Sequence, residues 1–228
     1  MRITYYGHSC FGIETQGTHL LFDPFITHNA LAKGKADAGT VPADYILISH
    51  AHEDHVADLL PIAQRTGATV VCAYEVHSWC QHKGIAATHP MNTGGAWQFP
   101  FGTVRCVEAV HSSTFADGTP GGNPMGYVLE LAEGKNLYFA GDTALSQNMQ
   151  LIPRRTRLDM ALLPIGGNFT MDAVDALQAA EFIQCQDIIG MHYDTFGYIK
   201  IDHAAAKETF AAKNKNLTLM EIGQQLER

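Results

Sequence analysis

The chain has 228 residues, of which 46% are hydrophobic, and this is enough to form one large domain with a substantial core. Its net charge of −8 disfavours broad electrostatic binding of nucleic acid, and its five cysteines, without a C-x-x-C pair, disfavour a disulfide framework. Because no segment has the length of a signal-peptide core or a membrane span, we expect a cytoplasmic protein with reduced thiols.

The first half of the chain predicts an alternation of short strands and helices. Strands are predicted over residues 2–6, 10–14, 19–22, 44–49 and 68–73. Apolar residues at helical spacing then predict a helix between the last two strands, with Asp58 as its cap, Pro61 in its first turn and Gly67 after its end. A second helix is predicted over 74–83. The polar stretch 27–42 indicates a surface loop that covers a site.

The second half repeats this alternation. Strands are predicted over residues 97–99, 103–110, 125–131, 136–140, 158–164, 187–191 and 217–222. One helix is predicted after residue 170, with Thr170 as its cap, and another from about Asp202 to about Lys213. These patterns predict a single α/β domain over 1–228, with two similar sheets, helices outside and a site where strand ends meet.

Four potential metal ligands follow the apolar strand 44–49 within six residues. They are His50, His52, Asp54 and His55. Residues two apart in an extended loop point to the same side, so His50 and His52 can face one metal ion. Asp54 and His55 come where the chain bends towards a helix and can face another ion. A solvated polar loop is the alternative, but three histidines and an aspartate in six residues favour a metal site.

Three other apolar strands end in a residue of ligand type: His111, Asp142 and His192. Loops at strand ends converge in space, so residues far apart in the chain can build one site. Taken alone, each histidine can equally be a hydrogen-bonded structural residue, and Asp142 can cap a helix from its Gly-Asp-Thr turn.

The order of these residues resembles the metallo-β-lactamase superfamily. Three further segments, 3–11 (ITYYGHSCF), 21–24 (LFDP) and 164–171 (PIGGNFTM), resemble the small metal-dependent hydrolases grouped near L-ascorbate-6-phosphate lactonase. The resemblance covers essentially the whole chain. It implies a four-layer αβ/βα sandwich in which two mixed sheets are flanked by helices.

Carried over to this chain, the resemblance implies two divalent metal ions. The first would be held by His50, His52 and His111, the second by Asp54, His55 and His192, and Asp142 would bridge them. The position of His8 implies a ligand or close contact, against the alternative of a histidine that bonds its own turn. Asp23 is interpreted as a turn residue or a partner that orients a ligand.

The function implied is a metal-dependent hydrolase that acts through a metal-activated water. Asp54 would orient the water and pass a proton to the leaving group. A ligand set without cysteine suits zinc or manganese first, with nickel or iron as alternatives. Two other chemistries stay open: a phosphodiesterase acting on a nucleotide-type substrate and an iron-dependent redox enzyme. A non-catalytic binding module is the third alternative.

The predicted partner is a small lactone, ester or phosphorylated molecule. We expect no long nucleic acid and no membrane as partners, and the resemblance implies a homo-oligomer.

Four loops should line the cleft: 27–42, 112–124, 166–171 and 193–198. Within or near them, six residues are candidates for contacts to substrate: Asn168, Tyr193, Thr195, Arg154, Arg155 and Arg157.

Overall fold

The computed structural model describes residues 1–228 and contains two seven-stranded sheets. The first sheet contains β1 (Arg2–Gly7), β2 (Cys10–Thr15), β3 (Thr18–Phe22), β4 (Tyr45–Leu47), β5 (Thr69–Ala73) and β6 (Thr88–Met91). The second contains β7 (Ala96–Phe99), β8 (Gly102–Glu108), β9 (Met125–Leu131), β10 (Asn136–Phe139), β11 (Met160–Pro164), β12 (Asp187–Met191) and β13 (Asn216–Thr218). A last strand, β14 (Gln225–Glu227), returns to the first sheet and pairs with β1.

The two sheets repeat one pattern of strand pairing. In the first sheet the order is β14-β1-β2-β3-β4-β5-β6, with antiparallel pairs up to β3 and parallel pairs from β3 onwards. In the second the order is β7-β8-β9-β10-β11-β12-β13, with antiparallel pairs up to β10 and parallel pairs beyond it. The prediction of two similar mixed sheets is therefore confirmed.

Helices cover the outer faces of both sheets. They are α1 (Glu53–Val56), α2 (Leu59–Thr66), α3 (Tyr74–His82), α4 (Ala173–Phe182) and α5 (His203–Ala211), with short 3₁₀ helices at Gln147–Leu151 and Gly197–Ile199. Helix α3 packs on β5 and β6, α4 on β11, and α5 on β13. None of these helices has the length and apolarity that a membrane span requires. The sandwich architecture implied by the resemblance is confirmed.

One predicted helix cap was wrong, and another is confirmed in position but not in its side-chain contacts. The cap of α4 is Asp172 rather than Thr170, because the Asp172 carboxylate accepts hydrogen bonds from the amides of residues 174 and 175. Asp58 is the N-terminal cap residue of α2, as predicted. Its carboxylate, however, accepts hydrogen bonds from the amides of Ile26 and Thr27 rather than from amides of the helix. The Asp58 side chain therefore anchors the loop after β3 to the start of α2.

Two strands were missed because their sequences carry little strand signal. Strand β6 contains Pro90 and lies at the edge of the first sheet, where a missing amide donor is tolerated. Strand β14 is three residues long and largely polar, and only its pairing with β1 identifies it as a strand. Both are edge strands whose existence depends on a neighbour.

The two sheets share one hydrophobic core of 64 buried residues, and a tyrosine joins them near the strand ends. The hydroxyl of Tyr127, on β9, donates to the carbonyl oxygen of Ile48 at 2.6 Å and lies 3.2 Å from that of Val71. Both acceptors belong to the first sheet. Tyr138, on β10, is equally buried, but its hydroxyl has no hydrogen-bond partner.

These two tyrosines make a matched pair for measuring the link between the sheets. We expect Tyr127→Phe to lower the free energy of unfolding by about 1–3 kcal/mol, because it leaves a buried carbonyl without its donor. Tyr138→Phe removes an unpartnered hydroxyl and should change that free energy by less than about 0.5 kcal/mol. Urea denaturation measures both, and equal effects of the two substitutions would refute the inter-sheet role of Tyr127.

Candidate metal centre

All the sequence-predicted ligands gather where strand ends of the two sheets meet. His50 follows β4, His111 follows β8, Asp142 follows β10 and His192 follows β12. His8 lies in the tight turn between β1 and β2, while Asp54 and His55 lie in α1, and His52 immediately precedes that helix. The fold thus brings together residues from both halves of the chain.

The first cluster consists of His50, His52 and His111, whose ring nitrogens lie within 4.8 Å of one another. His50 Nδ1 is 2.9 Å from the Ser49 hydroxyl, so its Nε2 is left to face the cluster. That Nε2 atom lies 2.9 Å from His52 Nδ1. Three imidazoles converging on one point match the donor set and spacing of a metal site.

The second cluster consists of His8, Asp54, His55 and His192, again with donor atoms within 4.8 Å. Asp54 Oδ2 lies 3.0 Å from His8 Nε2 and 3.7 Å from His192 Nε2. His8 is fully buried, and its Nδ1 contacts the Thr195 hydroxyl at 3.0 Å. The structure therefore places His8 among the predicted ligands of the second ion, with its Nε2 directed at the Asp54 carboxylate.

Asp142 lies between the two clusters. Its Oδ2 atom is 2.9 Å from His192 Nε2 and 3.4 Å from His55 Nε2 in the second cluster. The same oxygen is 3.6 Å from His111 Nε2 and 4.0 Å from His50 Nε2 in the first cluster. This is the position that a carboxylate bridging two ions would occupy.

Burial and neighbouring charged groups shift the pKa values of these residues, some upwards and some downwards. Burial, reinforced by the nearby His192 ring, lowers the pKa of His8 to about 4. Burial acts in the same direction on His192, but the carboxylate of Asp142 outweighs it and raises the pKa to about 9. Burial disfavours the ionised form of Asp142, yet the rings of His192 and His55 hold its pKa well below the usual range. The carboxylate is therefore ionised and ready to bind a cation.

Two atoms that could bind a metal ion at the centre lack any hydrogen-bond partner within the protein. His55 Nε2 and Asp142 Oδ1 are both buried without a partner, although buried polar atoms are normally satisfied. Divalent ions would satisfy these atoms and would relieve the repulsion among six closely packed imidazoles. The residues present therefore fit a pair of divalent ions.

Asp23 contacts the predicted ligand His55 on the side of the ring that faces away from the centre. Its Oδ2 atom lies 2.8 Å from His55 Nδ1, which fixes the ring so that Nε2 points to the site. The same carboxylate accepts hydrogen bonds from the amide and hydroxyl of Ser49, beside His50. Asp23 is completely buried and has a positive φ of 42°. The structure thus supports the interpretation of Asp23 as a partner that orients ligands.

A cleft of about 1010 Å³ opens onto the metal centre. Four aromatic side chains line it: Phe25, Phe169, Phe196 and Tyr198. These rings were not predicted from the sequence, where their only signal is a position in or next to the loops expected to line a cleft. His28 is exposed and also lines the cleft.

Several residues predicted to contact the substrate do not line the cleft. Arg154, Arg155 and Arg157 are absent from its lining, as are Asn168 and Tyr193. The side chain of Tyr193 is buried. Of the loop 27–42, only residue 28 reaches the cleft, and most of the loop borders a separate surface pocket. Thr195 and Ser112 do line it, with Ser112 Oγ 3.2 Å from His52 Nε2.

The thiols take no part in the site. All five cysteines are free and buried, as expected from the sequence. Cys10 lies two residues from His8, but burial raises its pKa far above the usual range, so it stays protonated.

A family model, two similar sequences and a solved structure match most or all of this chain. A family model described as the beta-lactamase superfamily domain matches residues 2–192. Metal-dependent hydrolases of the UPF0173 family from Christiangramia forsetii and Flavobacterium johnsoniae are 52% and 53% identical, each over the full length of both chains. The solved structure of Igni18, a metallo hydrolase from Ignicoccus hospitalis, is 35% identical, with a TM-score of 0.88 over 99% of this chain and 97% of its own.

The contact between Asp23 and His55 yields a prediction about metal affinity. Asp23→Asn keeps the shape of the side chain but removes the charge behind the imidazole, so we expect affinity for zinc to fall by about tenfold or more. Competition with a chromophoric chelator measures this. Asp58→Asn is the control, because Asp58 is a buried carboxylate that accepts two amide hydrogen bonds and makes no hydrogen bond to a predicted ligand. Equal loss of affinity in both variants would contradict the role of Asp23.

Proposed function

Since the chain belongs to the metallo-β-lactamase superfamily and is a metal-dependent hydrolase, we propose that it hydrolyses small uncharged esters or lactones with an apolar body. The character of the cleft carries this proposal. None of the 14 residues that line it is a lysine or an arginine, whereas four are phenylalanine or tyrosine. A substrate with an apolar body fits this surface, and a phosphorylated one finds no lysine or arginine in it.

The proposed cofactors are two divalent ions. His50, His52 and His111 would hold one, Asp54, His55 and His192 the other, and Asp142 would contact both. When bound, the ions supply a hydroxide nucleophile near neutral pH and neutralise negative charge on the carbonyl oxygen. Zinc and manganese are the first candidates, because the donors are imidazoles and carboxylates without a thiolate.

Asp54 is the proposed proton carrier. Its carboxylate is the most exposed of the second cluster, with 24% of the side chain accessible, and it lines the cleft. There it would take the proton of the attacking water and deliver it to the alkoxide oxygen that leaves when the acyl–oxygen bond breaks. The His8 ring, held by Thr195 on its other side, contacts Asp54 Oδ2 and keeps the carboxylate oriented. The same Nε2 atom lies close enough to the cluster to serve as a ligand instead.

The aromatic side chains provide the proposed binding surface. Phe169 is 50% exposed and Tyr198 is 78% exposed, with their ring centroids 6.2 Å apart. The buried Phe25 and the partly exposed Phe196 form a second pair at the same centroid separation. Exposed aromatic rings beside a polar centre are unusual on a folded surface and are typical of a site that receives an apolar group. The carboxylate of Glu53 in the lining adds repulsion against an anionic substrate.

The role of Asp54 can be tested by substitution. We expect Asp54→Ala to lower kcat on an aryl acetate by about 10³-fold or more while the circular dichroism spectrum stays unchanged. Asp175→Ala is the matched control, since Asp175 also lies in the first turn of a helix but does not line the cleft. Turnover of Asp54→Ala within tenfold of the parent would refute the assignment.

The proposed substrate class can be tested with paired lactones that differ only in a phosphate group. We expect kcat/KM for the uncharged aryl-substituted lactone to exceed that for its phosphorylated counterpart by about tenfold or more, because the lining provides apolar contacts but no lysine or arginine. Tyr198→Ala should raise KM for the uncharged lactone, whereas Tyr74→Ala, at an exposed tyrosine on α3, should not. Preference for the phosphorylated lactone, or for a nucleotide phosphodiester, would overturn the proposal.

A further inference from the structure

A second cavity, of about 650 Å³, lies on the outer face of the second sheet. It is lined by residues of β8 and β9, by Thr93 and Gly94 before β7, and by the segment 148–156, and it shares no residue with the cleft at the candidate metal centre. Along β8, Val104 and Cys106 are fully buried in the core, so Arg105 and Val107 point to the opposite face. No α-helix covers this part of the sheet, and the segment with the 3₁₀ helix Gln147–Leu151 forms one wall.

Positive charge is concentrated around this cavity. Arg105, Arg154 and Arg155 line it, and they are three of only seven arginines in a chain with a net charge of −8. None of them forms a salt bridge, since Arg2 with Glu14 is the only arginine–carboxylate pair in the structure. The Nε atom of Arg105 is buried and has no hydrogen-bond partner. A buried guanidinium donor without an acceptor is unfavourable and indicates that the acceptor comes from a bound group.

The carboxylates close to the cavity are already engaged elsewhere. Glu108 is the only acidic residue in the lining, and its Oε2 accepts hydrogen bonds from Ser146 Oγ and Asn148 Nδ2. Glu130, on β9, accepts from the Thr156 hydroxyl at 2.6 Å. Since neither glutamate pairs with an arginine, the three guanidinium groups remain available to an external anion.

The rest of the lining is apolar. Val128, Met149 and Ile152 are buried side chains of the cavity wall, and the volume suits a small molecule. We propose that this cavity is a second ligand site, which binds a small organic anion through its arginines and an apolar body of the same molecule through these side chains. Phosphate and carboxylate groups both match the planar fork of a guanidinium. This site is separate from the proposed catalytic cleft, and its occupancy does not depend on which substrate the enzyme hydrolyses.

Isothermal titration with 1-naphthyl phosphate tests the proposal, with neutral 1-naphthol as the control ligand. The titration is done on the metal-loaded enzyme and again after chelation and desalting, because a phosphate can also bind to metal ions. We expect one saturable site whose dissociation constant changes by less than about threefold on metal removal. The double substitution Arg154→Ala with Arg155→Ala should weaken this binding by about tenfold or more, and Arg105→Gln should act in the same direction.

Arg157→Ala is the matched control, since Arg157 is next to these residues in the chain but does not line the cavity. It should leave the dissociation constant within about twofold. Three outcomes would overturn the proposal: no saturable binding to the metal-free protein, equal weakening in the Arg157 variant and the double variant, or equally tight binding of 1-naphthol. The double variant replaces exposed side chains, so it tests the site even where Arg105→Gln is unstable.

Discussion

The backbone amide of His192, which follows β12 of the second sheet, donates to the carbonyl oxygen of His8, in the β1–β2 turn of the first sheet, at 3.0 Å. A second bond of the same length joins the amide of Met125 to the carbonyl of Ser49, and the Tyr127 hydroxyl adds a third link nearby. These bonds hold the strand ends of two sheets together where the ligands lie. His8 and His192 both adopt left-handed backbone conformations, with φ of 58° and 55°. Such conformations are unfavourable for histidine and persist because the surrounding structure enforces them.

The repeated strand pattern places an aspartate at equivalent points in both sheets, and the two have different tasks. Asp23 follows β3 and Asp142 comes shortly after β10, each the strand where antiparallel pairing changes to parallel. Asp23 contacts the Nδ1 side of His55, while Asp142 contacts the Nε2 side of the same ring. One carboxylate therefore positions the imidazole and the other joins it in the metal centre. The approach of Asp142 depends on Gly141, where an added Cβ would lie 2.6 Å from the Cβ of Ser49.

Charge is segregated over the surface of this acidic chain. The end of the sandwich that carries the metal centre combines imidazoles, carboxylates and aromatic rings, without lysine or arginine in the cleft. Unpaired arginines are concentrated instead on the outer face of β8 and on the segment 148–156. A guanidinium in the cleft would compete with the proposed divalent ions for the carboxylates, so this separation leaves Asp54 and Asp142 free for their proposed role as ligands.

The sequence by itself predicted most of the order of elements and the residues that gather at the candidate metal centre. Apolar runs that end in His50, His111 or His192 are local signals, and strand ends on one edge of a sheet converge whatever their separation in the chain. Only the tertiary structure decided the rest. It established the edge strands β6 and β14, and it showed that Asp23 orients the ring of His55. It also showed that aromatic side chains line the cleft, whereas three arginines line a cavity on another face. A strand-end histidine is recognisable from its neighbours in the chain. The partner of a buried carboxylate, or the cavity that an arginine enters, depends on which residues of distant elements pack against it, and no local pattern encodes that packing.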